Sequence, residues 1–534
     1  MIDNKSVSLH LAALSASLAA QFLTLIFVFN SAIPEFHDAP PWFSFLNYAG
    51  DFARFVLAVG LLVVLLRLPL LPDYYQRLLD AARGYRYRPA VIGQWLAYAL
   101  LFALTALIFD PQTDINQIST LTVGAWMLAI MLTGGLWLLG AAPLRFWTMI
   151  CRKEAGAILA AVLVAAVGWL IYANFETLWA PVTDLTFVLS TSLLQIIYPD
   201  LTVHAATKTL GTGQFYVNIV LECAGYEGIG LVLIFTTLYL AIYRDNFRFP
   251  QVLWLYPLGI ATIWSFNILR IVVIVVLGVS GSADVAMGGF HNQAGWISFS
   301  LVTLALLFIA YRIPYFNKND VKARVVGLNL PMALLLPFIV LMAATILTLA
   351  MSAGFDWAYP LRVIAVAVAI GLGWRLFALG APQFRWHSIA AGFLVFLVWL
   401  WLVPNNATQN DIFATELGSG SALVVSAWLL FRILGAVITV PIAEELLFRG
   451  YLLSRLAGVD IKLLGKLDFS WLAFLGSSLL FGLLHGDWFA GILAGLVYAA
   501  LRYRGNLWDA IVAHGCTNLC LCFYVLITGH WSMW

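Results

Sequence analysis

Charge is what this chain has least of. Its 534 residues include 28 Lys and Arg and 26 Asp and Glu, 10% charged against 63% hydrophobic. Soluble globular proteins carry about a quarter charged residues, so that class is excluded. The balance of +2 at pH 7 offers no basic excess for nucleic acid, and no nucleic-acid partner is expected. Cysteine is scarce as well. Cys151, Cys223, Cys516, Cys520 and Cys522 form no CxxC pair of the metal-binding kind. The last three share one apolar segment, where reduced, buried thiols are expected. No short cleavable leader is expected, because the first apolar stretch, 10–31, is long enough for a retained span. Low-complexity segments and a repeat relating the two halves are also lacking.

What is present is apolar sequence in blocks of about 20 residues, the length that crosses a hydrocarbon core as a helix. Without water to satisfy backbone groups, helices are the spanning element. The fold class is therefore an all-α, polytopic membrane protein with about 15 spans. They are expected near 10–31, 54–72, 90–109, 121–143, 156–174, 217–243, 252–278 and 293–313. Further spans are expected near 330–352, 359–379, 387–404, 421–446, 470–485, 488–502 and 507–529. The shorter 182–198 stretch, bracketed by Asp184 and Asp200, reads as an interfacial or re-entrant helix.

Basic residues cluster in alternate loops, from Lys5 through Arg77–Arg88, Arg145–Lys153 and Arg244–Arg248 to Arg502 and Arg504. The positive-inside rule then places the N-terminus in the cytoplasm and 175–216 outside. The polar, basic stretch 314–328 is the expected cytoplasmic linker between two membrane domains, 1–313 and 329–534.

Ionisable groups inside apolar segments are costly, and the C-terminal domain holds several. PIAEELLFRG contains Glu444, Glu445 and Arg449; Glu445 and Arg449 are one turn apart and suited to an ion pair. Phe481-Gly-Leu-Leu-His485 follows, then His514-Gly-Cys-Thr-Asn518 with His514 and Asn518 on one face. Singly, each reads as a snorkelling or satisfied core residue. Together, on three consecutive apolar helices, they suit hydrolysis of a peptide bond: carboxylate and imidazole for water, imidazole and amide for an oxyanion. A Glu/His/His set also suits zinc.

These EExxxR, FxxxH and HxxxN motifs resemble the CPBP family of CAAX proteases and bacteriocin-processing enzymes. The resemblance implies Glu444 as general base, His485 as its partner, and His514 with Asn518 as oxyanion site. Glu445 and Arg449 would support them, and catalysis would use no metal and no cofactor.

The first domain holds a second set: Cys223 in NIVLECAGYEGIGL, Arg270 in FNILRIVVIVV and His291 in GGFHNQAGW. The loop charges put all three toward the outer leaflet. Thiol and imidazole make a nucleophile–base couple, and a guanidinium favours the thiolate or holds an oxyanion. Arg270 is the most telling, being far from either span end, whereas Arg67, Arg375 and Arg432 read as structural. Over roughly 10–313 this arrangement resembles the exosortases, membrane transpeptidases with Cys, Arg and His in that order. Ala224 stands where many of them have Ser.

A fusion of the two resembles the exosortase E/protease type. That implies a bacterial inner-membrane cysteine transpeptidase joined to a glutamate-type intramembrane endopeptidase. Its partners would be membrane lipid and exported proteins with a C-terminal sorting tail: a motif, a transmembrane helix and a basic end. The tail would be cut and the acyl group passed to a surface acceptor, in exopolysaccharide-producing Gram-negative bacteria. The Cys223 site would face the periplasm and the Glu444 site the cytoplasm. The competing readings are a polytopic transporter, and a non-catalytic CPBP-like immunity or scaffold protein.

Overall fold

A computed structural model describes residues 4–29, 49–67, 70–109, 118–318 and 327–534. The acidic loops at 30–48 and 110–117 and most of the expected linker, 319–326, lie outside the described residues. The chain forms two compact units, Met1–Leu178 and Trp179–Trp534.

The fold is all-α and polytopic. Among the described residues ten helices are long and apolar enough to cross a membrane, or eleven if one bent pair counts as a span. That pair, Trp386–Leu402 and Ala407–Gly418, turns by 113°. The difference from about 15 has a physical reason. The helices Arg54–Val64, Ala155–Leu170, Tyr226–Ile242 and Trp471–Leu483 are apolar but short, and Trp488–Arg504 has only 17 residues, two of them arginines in its last turn. Conversely, the stretch read as interfacial belongs to a 23-residue helix, Phe175–Ile197, whose 177–197 portion can cross. The few strands are also a departure: Thr202–His204, Thr209–Thr212 and Phe215–Asn218 form one antiparallel sheet in that order. Its tight turn is Gly213-Gln214, with Gly213 at φ +65°.

In the first unit, Glu154 joins two elements. Its carboxylate accepts from Tyr74 and from Arg67 beside the start of the Ala155–Ala173 helix.

In the second unit the sheet packs on the Leu255–Val279 helix, with Leu210, Ile219, Ile271 and Val275 buried together. Lys208 ties it to Asp184 at 2.6 Å. The start of the 314–328 stretch is fastened down: Arg248 donates its backbone N–H to Phe316 O and Lys318 to Asn246 O. Gly289 lies so close to the carbonyls of Leu349 and Ser352 that any Cβ would overlap them, so 285–290 packs tightly on the Leu330–Ala350 helix.

One end of the C-terminal bundle is held by polar bonds. Asn506 and Asp509 form a capping box at the start of the Leu507–Thr528 helix. Fully buried Asp509 also takes Arg385 and Ser388, each at 3.0 Å. Buried Arg502 donates to the carbonyls of Gly465 and Lys462. These contacts set the axial position of the helix that carries His514 and Asn518.

Candidate active sites

The segment that carries Glu444 and Glu445 is an irregular helix. Two π-helical stretches, Gly435–Thr439 and Leu446–Leu452, flank the α-helical Val440–Glu445. π-bulges shift the register of the faces and recur at functional sites. Here they leave Glu444 on the wall of a cavity of about 220 Å³, together with His485, His514 and Asn518. Glu445 and Arg449 are fully buried and do not line it.

The pair behind the cavity is fixed. Arg449 Nη1 donates to Glu445 Oε1 at 3.1 Å, as the i,i+4 spacing predicts, and Nη2 donates to Gly495 O at 2.9 Å. The same Glu445 oxygen lies 3.1 Å from His514 Nδ1, so that nitrogen carries the hydrogen and Nε2 is left free. Tyr498 stacks on the His514 ring at 4.9 Å, and Phe481 meets it edge-on.

His485 Nδ1 donates to Phe481 O at 2.9 Å, which leaves Nε2 with a free lone pair. Asn518 Nδ2 donates to Ala436 O at 2.8 Å. Glu444 is 8% exposed, and its Oε2 is buried with no hydrogen-bond partner among the described residues. No direct bond joins it to His485 among the described residues. All six expected residues therefore gather, four around the cavity and two behind it.

Other residues of this site were not singled out from the sequence. Tyr498 holds His514 and donates to Thr517, which donates to Gly392 O. Arg432, read as structural, lines the cavity with its guanidinium 4.8 Å from the Tyr359 ring and 5.4 Å from Trp534. A basic residue twelve positions before Glu444 within an apolar run was an available signal for it.

In the other set, Cys223 sits in a 3₁₀ turn, Leu221–Ala224, just before the Tyr226–Ile242 helix. Gly225 makes the join at φ +87°, and a Cβ there would come within 3.0 Å of Asn267. Asn267 Nδ2 donates to Cys223 O at 2.7 Å. One turn further along the Leu255–Val279 helix, Arg270 Nη2 is 3.3 Å from His291 Nδ1. A guanidinium only donates, so His291 accepts there as a neutral imidazole.

Arg270 and His291 line a cavity of about 290 Å³ with Gly225, Glu227, Asn267 and Asn292. The half-buried Cys223 packs beside the Ile219–Ile271–Val275 cluster and does not line that cavity. No hydrogen bond joins its sulfur to His291 among the described residues. Asn267 and Glu227 were missed in sequence, although each is within four residues of Arg270 or Cys223.

Among the described residues no three His, Cys, Asp or Glu side chains converge as a metal site.

Two regions of the chain match known families. Residues 51–309 match the family described as Transmembrane exosortase (Exosortase_EpsH). Residues 426–520 match Type II CAAX prenyl endopeptidase Rce1-like. No curated protein and no solved structure matches the chain. Both matching families are membrane peptidases, and a multi-pass membrane peptidase with protein substrates is the general class. The chain is thus an exosortase-family region fused, in one polypeptide, to a C-terminal CPBP region of the CAAX-protease kind.

Proposed function

We propose that this protein is a membrane cysteine transpeptidase that cleaves C-terminal sorting signals, fused to a glutamate-type intramembrane endopeptidase. The observation that carries the first half is the Arg270–His291 contact one helical turn from the Asn267–Cys223 bond. The Cys223 thiol gives its proton to His291, and its sulfur attacks the scissile carbonyl carbon. Arg270 stabilises the oxyanion. The C–N bond breaks, and His291 returns the proton to the departing amine. The acyl group remains on Cys223 as a thioester until a surface acceptor takes it and restores the thiol.

In the second half Glu444 removes a proton from water, with His485 Nε2 as its partner across the cavity. The hydroxide adds to a peptide carbonyl, and His514 with Asn518 stabilises the oxyanion. His514 can donate from Nε2 as an imidazolium while Nδ1 stays on Glu445. Glu445 and Arg449 hold His514 in place. The amine leaves with the proton that Glu444 took up. No metal or cofactor enters either scheme.

The functional division falls at 314–328, between 1–313 and 329–534. The setting is a bacterial inner membrane with the N-terminus cytoplasmic, Cys223 toward the periplasm and Glu444 toward the cytoplasm. Substrates are exported proteins ending in a motif, a transmembrane helix and a basic end, in exopolysaccharide-producing cells.

The test co-expresses a reporter bearing such a tail. Cys223→Ala abolishes its release and Glu444→Gln leaves that release intact; unchanged release in Cys223→Ala sinks the transpeptidase assignment. Purified Glu444→Gln loses peptide hydrolysis by about a hundredfold or more. Hydrolysis that survives that change but dies with a chelator makes the second site a metal centre instead.

A further inference from the structure

The only strands among the described residues lead straight into Cys223. In an antiparallel pair, successive residues turn their N–H and C=O groups alternately toward the partner strand and away from it. The 2.9 Å bond from Ile219 N–H to Lys208 O sets the parity here. Val217 opposite Leu210, and Phe215 opposite Thr212, therefore bond inward. Tyr216 and Asn218 turn their backbone groups outward, and these have no partner among the described residues. Val220 N–H continues the row.

Open edges of this kind are usually blunted by lysine, proline or a covering element. The stretch from Phe215 to Val220 has neither Lys nor Pro, and Tyr216, Asn218 and Val220 are all exposed. The opposite edge is poorer: Thr202 pairs with Gly211 and His204 with Thr209, which leaves Val203 alone facing out. Only the Phe215–Asn218 edge is continuous with the candidate nucleophile. Val220 O accepts the Cys223 N–H at 2.9 Å, and Asn267 holds the Cys223 carbonyl.

We propose that this edge is the substrate-docking strand. An extended segment of the protein to be cleaved adds beside Phe215–Asn218 as a fourth strand, and the peptide bond that follows it is delivered to Cys223. A peptidase must grip extended backbone, and main-chain pairing does so with little demand on side chains. The proposal rests on the thiol-peptidase reading of Cys223.

The experiment uses the full chain as Cys223→Ala with Asn218→Cys, in membranes. It is co-expressed with a cysteine-free reporter carrying the exported domain, transmembrane helix and basic end. Single cysteines are walked along the eight or so residues before the reporter's helix. Disulfide trapping is expected at alternate positions, because only every second residue of a paired strand shares a face with Asn218. Uniform trapping, or none, overturns the docking strand.

Because the trapped chain need not cut, this outcome is separate from release of the parent reporter by the unmodified chain, which tests the peptidase reading. A second measurement removes one edge donor: Asn218→Pro slows release about fivefold. Val203→Pro on the far edge leaves it unchanged, and equal loss in both variants also overturns the proposal.

Discussion

His514 Nδ1 and Arg449 Nη1 meet at one oxygen of Glu445, each at 3.1 Å, so a single carboxylate orients the imidazole and neutralises the guanidinium. Glu444, its neighbour in sequence, faces the cavity. Adjacent carboxylates thus have separate surroundings, one locked in a buried ion pair and one on the cavity wall.

That division gives contrasting stabilities. Glu445→Gln leaves a buried guanidinium without its counter-charge, a loss of about 3–5 kcal/mol. Glu444→Gln removes no ion pair and stays within about 1 kcal/mol of the parent. Thermal unfolding in detergent separates the two. Equal loss would mean that Glu444 is also structural.

Gly225 is the tightest backbone constraint near Cys223. Ala there must hold a left-handed conformation, at about 1–2 kcal/mol, and press on Asn267. Gly225→Ala is expected to lower the melting temperature and slow tail release about tenfold. Release at the parent rate would show that the Asn267–Cys223 alignment is irrelevant.

A pH dependence follows from Glu154. The Tyr74 hydrogen bond, followed by Arg67, holds its carboxyl below the ordinary carboxylate range. The folded value is depressed, so the stabilisation is full above the ordinary range and is lost as pH falls from roughly 4 through the lower folded value. Glu154→Gln should destabilise the chain at neutral pH and flatten the acid limb of its stability profile. An unchanged acid limb would remove Glu154 as its source.

Orientation is open to direct labelling. Cysteines introduced at Ser282 and Asp284 should react with an impermeant maleimide in intact cells, and those at Lys462 and Lys466 only after permeabilisation. The reverse pattern would move the Cys223 site away from the periplasm.

The C-terminal site was legible because its chemistry sits at helical spacing. The four-residue steps Glu445–Arg449 and His514–Asn518 each put both groups on one face, wherever the helices pack. The three motifs also bear polar groups that an apolar segment does not retain without cause. Arg270 stood out for the same reason.

Arg432 did not, because it lies nearer the expected start of its span than Arg270 does, and a lone tyrosine such as Tyr498 looks alike whether it packs or lines a cavity. Their place depends on Tyr359, Trp534 and His514 meeting across helices far apart in sequence. The short sheet was hidden by a different cause: strands of three or four residues leave too little alternation to read.

The amino-acid sequence by itself determined the solvent, the spanning element and the two sets of candidate residues. Hydrocarbon admits only self-satisfied backbone, and ionisable residues are too costly there to be incidental. The tertiary structure decided which groups face a cavity and which lie behind one. It turned Glu444 toward the cavity and Glu445 behind it, joined Arg270 to His291, and left a strand edge leading to Cys223 unpaired among the described residues. Those outcomes depend on packing between segments, which local spacing does not encode.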